Sequence, residues 1–242
     1  MNDIFSLGEG AKTFNKKSIP KGDTLLFTKD KWVPQSEMNT EEKILLHPIM
    51  HEATERMAEE HKPLQPTAFI SLCTASRPFY TSTKWKKFIS EFDSKVDLIV
   101  ASSGGVIPKK YWNSYPFLNY DGLDRNDTEL YQYIFFYRLI LFFSQNKYKY
   151  IIANFRPNLA NYEPAHKALK LLKGLGHIED YSVIPDEKTY DKAKELGFRP
   201  PHGCGDMFPD LTETILNELR DKIEHYGYNK LDSTKNTLDE WN

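Results

Sequence analysis

From Pro48 onward the chain switches repeatedly between two hydrophobic periods. Ile49, Ala53 and Met57 recur at every fourth position, which predicts a helix over 48–60 with proline in its first turn. Thr67-Ala-Phe-Ile-Ser-Leu72 is a short apolar run, the pattern of a buried strand. Helical spacing returns over 84–92 through Trp85, Phe88, Ile89 and Phe92. Strands are predicted again at 96–101, 148–154 and 181–184, and helices at 128–143, 165–175, 189–196 and 211–226.

Strands alternating with helices at this spacing predict an α/β fold with a mostly parallel sheet and helices on both faces. In such sheets ligands lie beyond the carboxyl ends of the strands, which selects residues 73–83, 102–121, 154–164 and 185–188. Before this region, 1–43 reads as an N-terminal arm or small extension. It holds one short strand, Thr24-Leu-Leu-Phe-Thr28, between turn-forming residues, and Thr40-Glu-Glu-Lys43 resembles a helix start. Residues 44–228 read as the core domain and 229–242 as a polar tail.

Composition narrows the function classes. With 242 residues, 40% hydrophobic and 27% charged, the chain is an ordinary globular one. A net charge of −2 gives no global field for nucleic acid, so any such binding needs a local patch drawn from the 32 lysines and arginines. Two cysteines, Cys73 and Cys204, are too few for a disulfide scaffold and predict a reducing, cytoplasmic setting. The most apolar stretch, 131–143, is broken by Arg138 and falls short of the about 20 residues that span a bilayer. No secretory leader pattern or membrane partner is predicted.

Chemistry concentrates in three loops. Cys73-Thr-Ala-Ser-Arg-Pro-Phe79 and the residues up to Lys84 lie between a strand and a helix, where backbone N–H groups and hydroxyls can face an anion or a base edge. Thr74, Ser76, Ser82 and Thr83 supply hydroxyls, and Arg77 a planar fork for phosphate or carboxylate. Cys73 has no histidine beside it in sequence, so a small buried residue is the simpler reading than a nucleophile. Ser102-Ser-Gly-Gly105 ends the next strand, and Gly104 and Gly105 permit close approach of a ligand or merely a turn. Tyr115-Pro-Phe-Leu-Asn-Tyr-Asp121 joins aromatic rings to one acid, suited to stacking on a flat base or to packing on the core. His47 and His51 share a helical spacing but lack a third ligand, and His202-Gly-Cys-Gly-Asp206 reads first as a tight turn, so no metal site is predicted.

Taken together, these segments resemble the core domain of archaeosine synthase, a paralogue of the archaeal tRNA-guanine transglycosylase. That family carries Pro-Cys-Ser, three variable residues, Lys-Pro-Tyr and then Ser-x-Ser-His. The matching residues here are Leu72-Cys73-Thr74, Arg77-Pro78-Phe79 and Ser82-Thr83-Lys84-Trp85. His47-Pro48 upstream is similar to the family's approach to the motif. The stretch Val100-Ala-Ser-Ser-Gly-Gly-Val-Ile-Pro-Lys109 resembles its Ser-Pro-Leu-Gly-Val-Val-Pro-Arg segment. Tyr115-Pro116 and Tyr120-Asp121 resemble its Tyr-Pro and Tyr-Asp pairs.

The resemblance covers about 44–155 well. It implies a three-layer sandwich similar to uracil-DNA glycosylases. The implied activity is transfer of an amine-bearing group such as lysine to the nitrile of preQ0, a 7-deazaguanine, in tRNA or another nucleic acid. No cofactor is implied; a transglycosylase or radical-enzyme subunit is the implied partner. Arg77, Asp121 and Lys84 are the implied catalytic residues. Cys73, Thr74, Ser76, Pro78, Ser82, Ser102, Gly104, Gly105 and Tyr120 are the implied substrate-binding residues. Arginine replaces the motif lysine, and Lys84 and Trp85 replace its final Ser and His. Arginine keeps its charge at any accessible pH and does not serve readily as a base. Two rival readings keep the same pocket: a non-catalytic binding partner of a transglycosylase, or a glycosylase-like hydrolase using Asp121 or Asn119.

Overall fold

The computed structural model describes residues 25–27, 32–34, 45, 48–74, 78–113, 117, 129–157, 159–195 and 212–236. Strands β1 (Leu25–Phe27) and β2 (Trp32–Pro34) pair antiparallel as a separate ribbon. Helix α1 (Pro48–Glu60) leads into β3 (Thr67–Leu72), α2 (Thr83–Phe92), β4 (Asp97–Ser102) and β5 (Gly105–Pro108). Helix α3 (Glu129–Gln145), β6 (Tyr150–Asn154), α4 (Tyr162–Gly174) and β7 (Asp180–Ile184) follow. Helices α5 (Glu187–Glu195) and α6 (Glu213–Asn236) complete the described chain.

β5, β4, β3, β6 and β7 form one sheet in that order. The pairings of β3 with β4, β3 with β6, and β6 with β7 are parallel, while β4 and β5 are antiparallel. The architecture is therefore α/β with a mixed five-stranded sheet between helical layers.

Alternation along the strands divides the core in two. Ala68 and Ile70 of β3, with Ile151 and Ala153 of β6, pack under α3 and α4 through Leu139, Phe142, Phe143, Ala168 and Leu172. Phe69 of β3, with Leu98, Val100 and Ile152, packs on the other face against Trp85, Phe88 and Phe92 of α2 and Ile215 and Leu219 of α6. Phe69 meets the Phe88 ring edge-on at 5.0 Å. Burying a side chain of this size contributes about 1.5–3 kcal/mol.

Arg138 is the charge that interrupts the apolar α3 pattern, and it is buried. Its guanidinium donates to the backbone carbonyls of Ser103 and of Leu45, the latter at 2.8 Å. A polar residue in that helix thus ties the β4–β5 hairpin to the chain before α1. Among the described residues no helix is long and apolar enough to cross a membrane.

The decisive feature for function is where the connections part. β3 continues into α2 on one face and its neighbour β6 continues into α4 on the other. Between their carboxyl ends the chain diverges to both sides of the sheet, and such a switch point leaves a crevice.

Candidate functional site at the carboxyl ends of β3 and β6

Ser71 and Asn154 face each other in the ladder at the ends of β3 and β6. Both are on the α2 side, since Phe69 and Ile152, two residues earlier, belong to that core cluster. Lys84, in the first turn of α2, is only 1% exposed. Its Nζ donates to Ser71 Oγ at 3.3 Å, and Asn154 Nδ2 donates to the same oxygen at 3.3 Å. The hydroxyl itself donates to the Asn154 carbonyl at 3.4 Å. These contacts are long, near the limit for useful hydrogen bonds. Asn154 Oδ1 is buried with no hydrogen-bond partner. An amine, a hydroxyl and a carboxamide therefore converge where the topology opens the sheet.

Two residues past Asn154 stands Arg156, which is 3% exposed. Among the described residues its guanidinium has no hydrogen-bond or ion-pair partner. Buried arginines are ordinarily paired, because desolvating an unpaired cation is expensive.

The loop after β3 is held by its own chemistry. The Cys73 N–H continues the ladder to the Ala101 carbonyl at 2.8 Å, and the thiol side chain is half-buried against the α2-side core. Thr74 is buried beside it. Pro78 precedes a single 3-10 turn, Phe79–Thr81, whose Phe79 is fully buried against Trp112 at 5.8 Å. Ser82 caps α2 by accepting from the Trp85 N–H at 3.2 Å. The capping contact fixes where α2 starts, and so places Lys84 in its first turn, next to Ser71. Trp85, where the resembled motif has histidine, is a core ring packed on Trp112 at 4.8 Å.

The Ser102–Gly105 segment is a tight hairpin rather than an open loop. Ser102 Oγ accepts from the Gly104 N–H at 2.9 Å. Gly105 has φ +144°, and an added Cβ would lie 3.0 Å from Thr54 Oγ1, so the position needs glycine both for backbone and for space. Thr54 itself donates to the Met50 carbonyl at 2.7 Å and lies 3.4 Å from the Gly104 carbonyl. Ser102, Gly104 and Gly105 thus all lie in or beside this turn.

Of the residues named from sequence, Lys84, Cys73, Thr74, Pro78, Ser82, Ser102, Gly104 and Gly105 are thus placed. Arg77, Ser76, Asp121, Tyr120, Asn119, His47 and the 202–206 cluster lie outside the described residues. His51 is a surface residue 3.2 Å from Glu55. Among the described residues no group of three or more His, Cys, Asp or Glu could hold a metal ion. Sequence reasoning passed over Ser71, Asn154 and Arg156. The rule selecting strand ends had already marked 154–164, and the polar residues closing two apolar strands were the available signal.

Two cavities lie away from this edge. One of about 340 Å³ between α1 and α3 is lined mainly by apolar residues with Thr54 and Arg138. A more open one of about 600 Å³ runs along β7 between α4 and α6.

A family model described as a domain of unknown function (DUF5591) matches residues 50–174, which contain β3, α2, β4, β5, α3, β6 and α4. The crystal structure of AF0587, a protein of unknown function, is similar at a TM-score of 0.40 and 18% identity. That match covers 62% of this chain and 52% of the AF0587 chain, so this chain matches about half the length of that protein. No curated protein matches the sequence.

Proposed function

The chain belongs to the DUF5591 family, whose function is unknown, and on that footing we propose that it is an archaeosine-synthase-like transferase of 7-deazaguanine modification. In this reading the base, preQ0 in tRNA, enters the crevice between the ends of β3 and β6. An amine-bearing group such as lysine is joined to its nitrile, with the protein working as a subunit beside a transglycosylase or radical enzyme. The layered α/β arrangement is compatible with a uracil-DNA-glycosylase-like fold, which belongs to the same proposal.

The observation that carries the reading is Lys84, 1% exposed and within 3.3 Å of Ser71 at the switch point of the sheet. Amine addition to a nitrile forms one C–N bond and converts the C≡N triple bond to C=N. The nitrile nitrogen takes up a proton and the added nitrogen gives one up. A buried amine next to a hydroxyl supplies a donor for the developing imidate nitrogen in a site shielded from water. The Asn154 carboxamide, with one donor and an unused acceptor, suits the mixed donor–acceptor edge of a guanine-like base. Trp85 in place of the motif histidine leaves Lys84 as the titratable group that α2 brings to this spot.

The test is incubation of the full chain with preQ0-containing tRNA and lysine, followed by nucleoside mass spectrometry. The expected result is a base heavier by one lysine. No adduct, even with a transglycosylase and a radical enzyme supplied, would overturn amine transfer.

A further inference from the structure

We infer that β7 is the docking edge for an extended segment of a partner protein, which adds to the sheet as a further, antiparallel strand and carries acidic residues toward its carboxyl end. This surface lies apart from the crevice and does not depend on the transfer reaction. The two edges of the sheet are finished differently. At β5 all four residues are buried, with α1 and α3 packed against them, and Pro108 ends the strand. At β7 only Ile184 is buried, and Asp180, Tyr181, Ser182 and Val183 are partly exposed. Among the described residues no strand pairs with its outer side.

The outward main chain of β7 is the template. The Asp180 N–H points inward, to the Lys149 carbonyl just before β6 at 3.3 Å. Main-chain groups alternate sides along a strand, so Ser182 and Ile184 also face β6, while Tyr181 and Val183 face out. The Tyr181 N–H is taken by the Asp180 carboxylate. The Tyr181 carbonyl and both Val183 groups are left at the open edge, with no partner among the described residues. An antiparallel residue opposite Val183 exchanges both hydrogen bonds with it, which is how strand addition gains affinity. The interior of β7 has neither the lysine nor the proline that commonly blunts an edge.

Shape and charge decide the occupant. β7 forms the floor of the groove of about 600 Å³ whose walls are α4 and α6. A recessed edge admits one extended chain, whereas a second copy, recessed in the same way, cannot reach it. Lys173 pairs with Asp180 at 2.7 Å at the amino end of β7. Lys170, one turn earlier on α4, and Lys222, one turn before Tyr226, line the groove as well. Neither forms a salt bridge among the described residues. Toward the other end, Glu218 Oε2 is buried without a hydrogen-bond partner, and burial followed by the charge of Asp186 raises its pKa. An antiparallel segment thus lays acidic residues near its carboxyl end over the lysines and brings a donor to Glu218. An RNA strand would meet the same lysines, but it brings like charge to Asp180 and Glu218 and has no peptide groups to pair with Val183.

The test pans the full chain against a positional-scanning library of short peptides. The expected selection alternates β-branched or aromatic residues and places Asp or Glu toward the carboxyl end. The selected peptide is then remade with alternate main-chain N–H groups methylated, which leaves its side chains in place and is expected to abolish binding. In the double variant Lys170→Glu, Lys222→Glu its affinity is expected to fall by about tenfold, with an unchanged melting temperature. Selection of basic residues, or of none, overturns the inference, as does a methylated peptide that binds equally well. Single-stranded oligouridylate bound in place of any peptide, and lost in the double variant, assigns the groove to RNA instead. A dimer in sedimentation that the selected peptide dissociates assigns the edge to a second copy.

Discussion

The two ends of the central strands handle buried polar groups in opposite ways. At the amino end, His61 lies between α1 and β3 and is 4% exposed. Its Nε2 is 2.8 Å from Tyr148 Oη, which donates to Asp97 Oδ2 at 3.0 Å. Because the tyrosine proton is committed to Asp97, the histidine must be the donor, with its proton on Nε2. Asp97 also accepts from the Leu64 N–H at 2.7 Å. The result is a directed chain of short hydrogen bonds joining the segment after α1, the start of β4 and the approach to β6. At the carboxyl end, Lys84, Ser71 and Asn154 meet at 3.3 Å, Asn154 Oδ1 is unused, and Arg156 has no partner among the described residues. Both groups are buried. Each leaves one buried atom unused, His61 Nδ1 at the amino end and Asn154 Oδ1 at the carboxyl end; what differs is that the first group is joined by bonds of 2.7–3.0 Å and the second only by contacts of 3.3 Å or more.

Lys84→Met offers the sharpest break. It keeps the volume of the stem and removes the amine, so modification is expected to fall by about 100-fold or more, with melting temperature nearly unchanged. Full activity in the adduct assay would mean that the reaction centre lies elsewhere.

Acid distinguishes the ends next. Burial, aided by Lys110 and Lys62, lowers the His61 pKa to about 4 from its usual 6.5. The unfolded chain then binds more protons than the folded one between those values, so stability contributed by neutral His61 is complete above about pH 6.5 and lost as pH falls toward 4. The full effect is on the order of 2–3 kcal/mol. Urea melts from pH 4.5 to 7.5 are expected to show a slope that His61→Phe reduces; an unchanged slope would remove His61 from the account.

Tyr148→Phe interrupts the same chain at its middle. Burial and then the nearby Asp97 push the Tyr148 phenol well above its ordinary value, so it acts only as a neutral link. The expected cost is about 1–3 kcal/mol, with lysine and nucleoside affinity unchanged, as denaturation and titration of one preparation would report. Smallest is Ser82→Ala, where loss of the α2 cap is expected to cost about 1 kcal/mol. Ligand affinity that fell in step with that loss would promote Ser82 from cap to contact.

The alternation of periods made β3, β4, β6, β7 and the helices around them legible, because buried strands and amphipathic helices leave different spacings. β5 was not legible. Gly105-Val-Ile-Pro108 is too short for a period and is bounded by glycine and proline, yet it pairs antiparallel with β4 at the sheet edge, where proline is tolerated. Its presence places the double glycine in the hairpin turn between β4 and β5. Lys84 was readable from its loop, but its burial was not, since lysines are ordinarily solvated. Arg156 was hidden for a related reason. Nothing in Asn154-Phe-Arg-Pro distinguishes a surface arginine from one enclosed by layers that come from distant parts of the chain.

The position of β6 bears on the order in which the molecule is assembled. β3 and β4 are joined through one helix, and β4 and β5 through a two-residue turn, so this half of the sheet closes through local contacts. Ser71 and Asn154 are 83 residues apart, and their pairing closes a much longer loop. Hydrogen-exchange pulse labelling during refolding is expected to protect β4 and β5 before β6. The crevice then arises only at the last closure, and a chain halted at an earlier stage has strands and helices but nowhere for a ligand to stand.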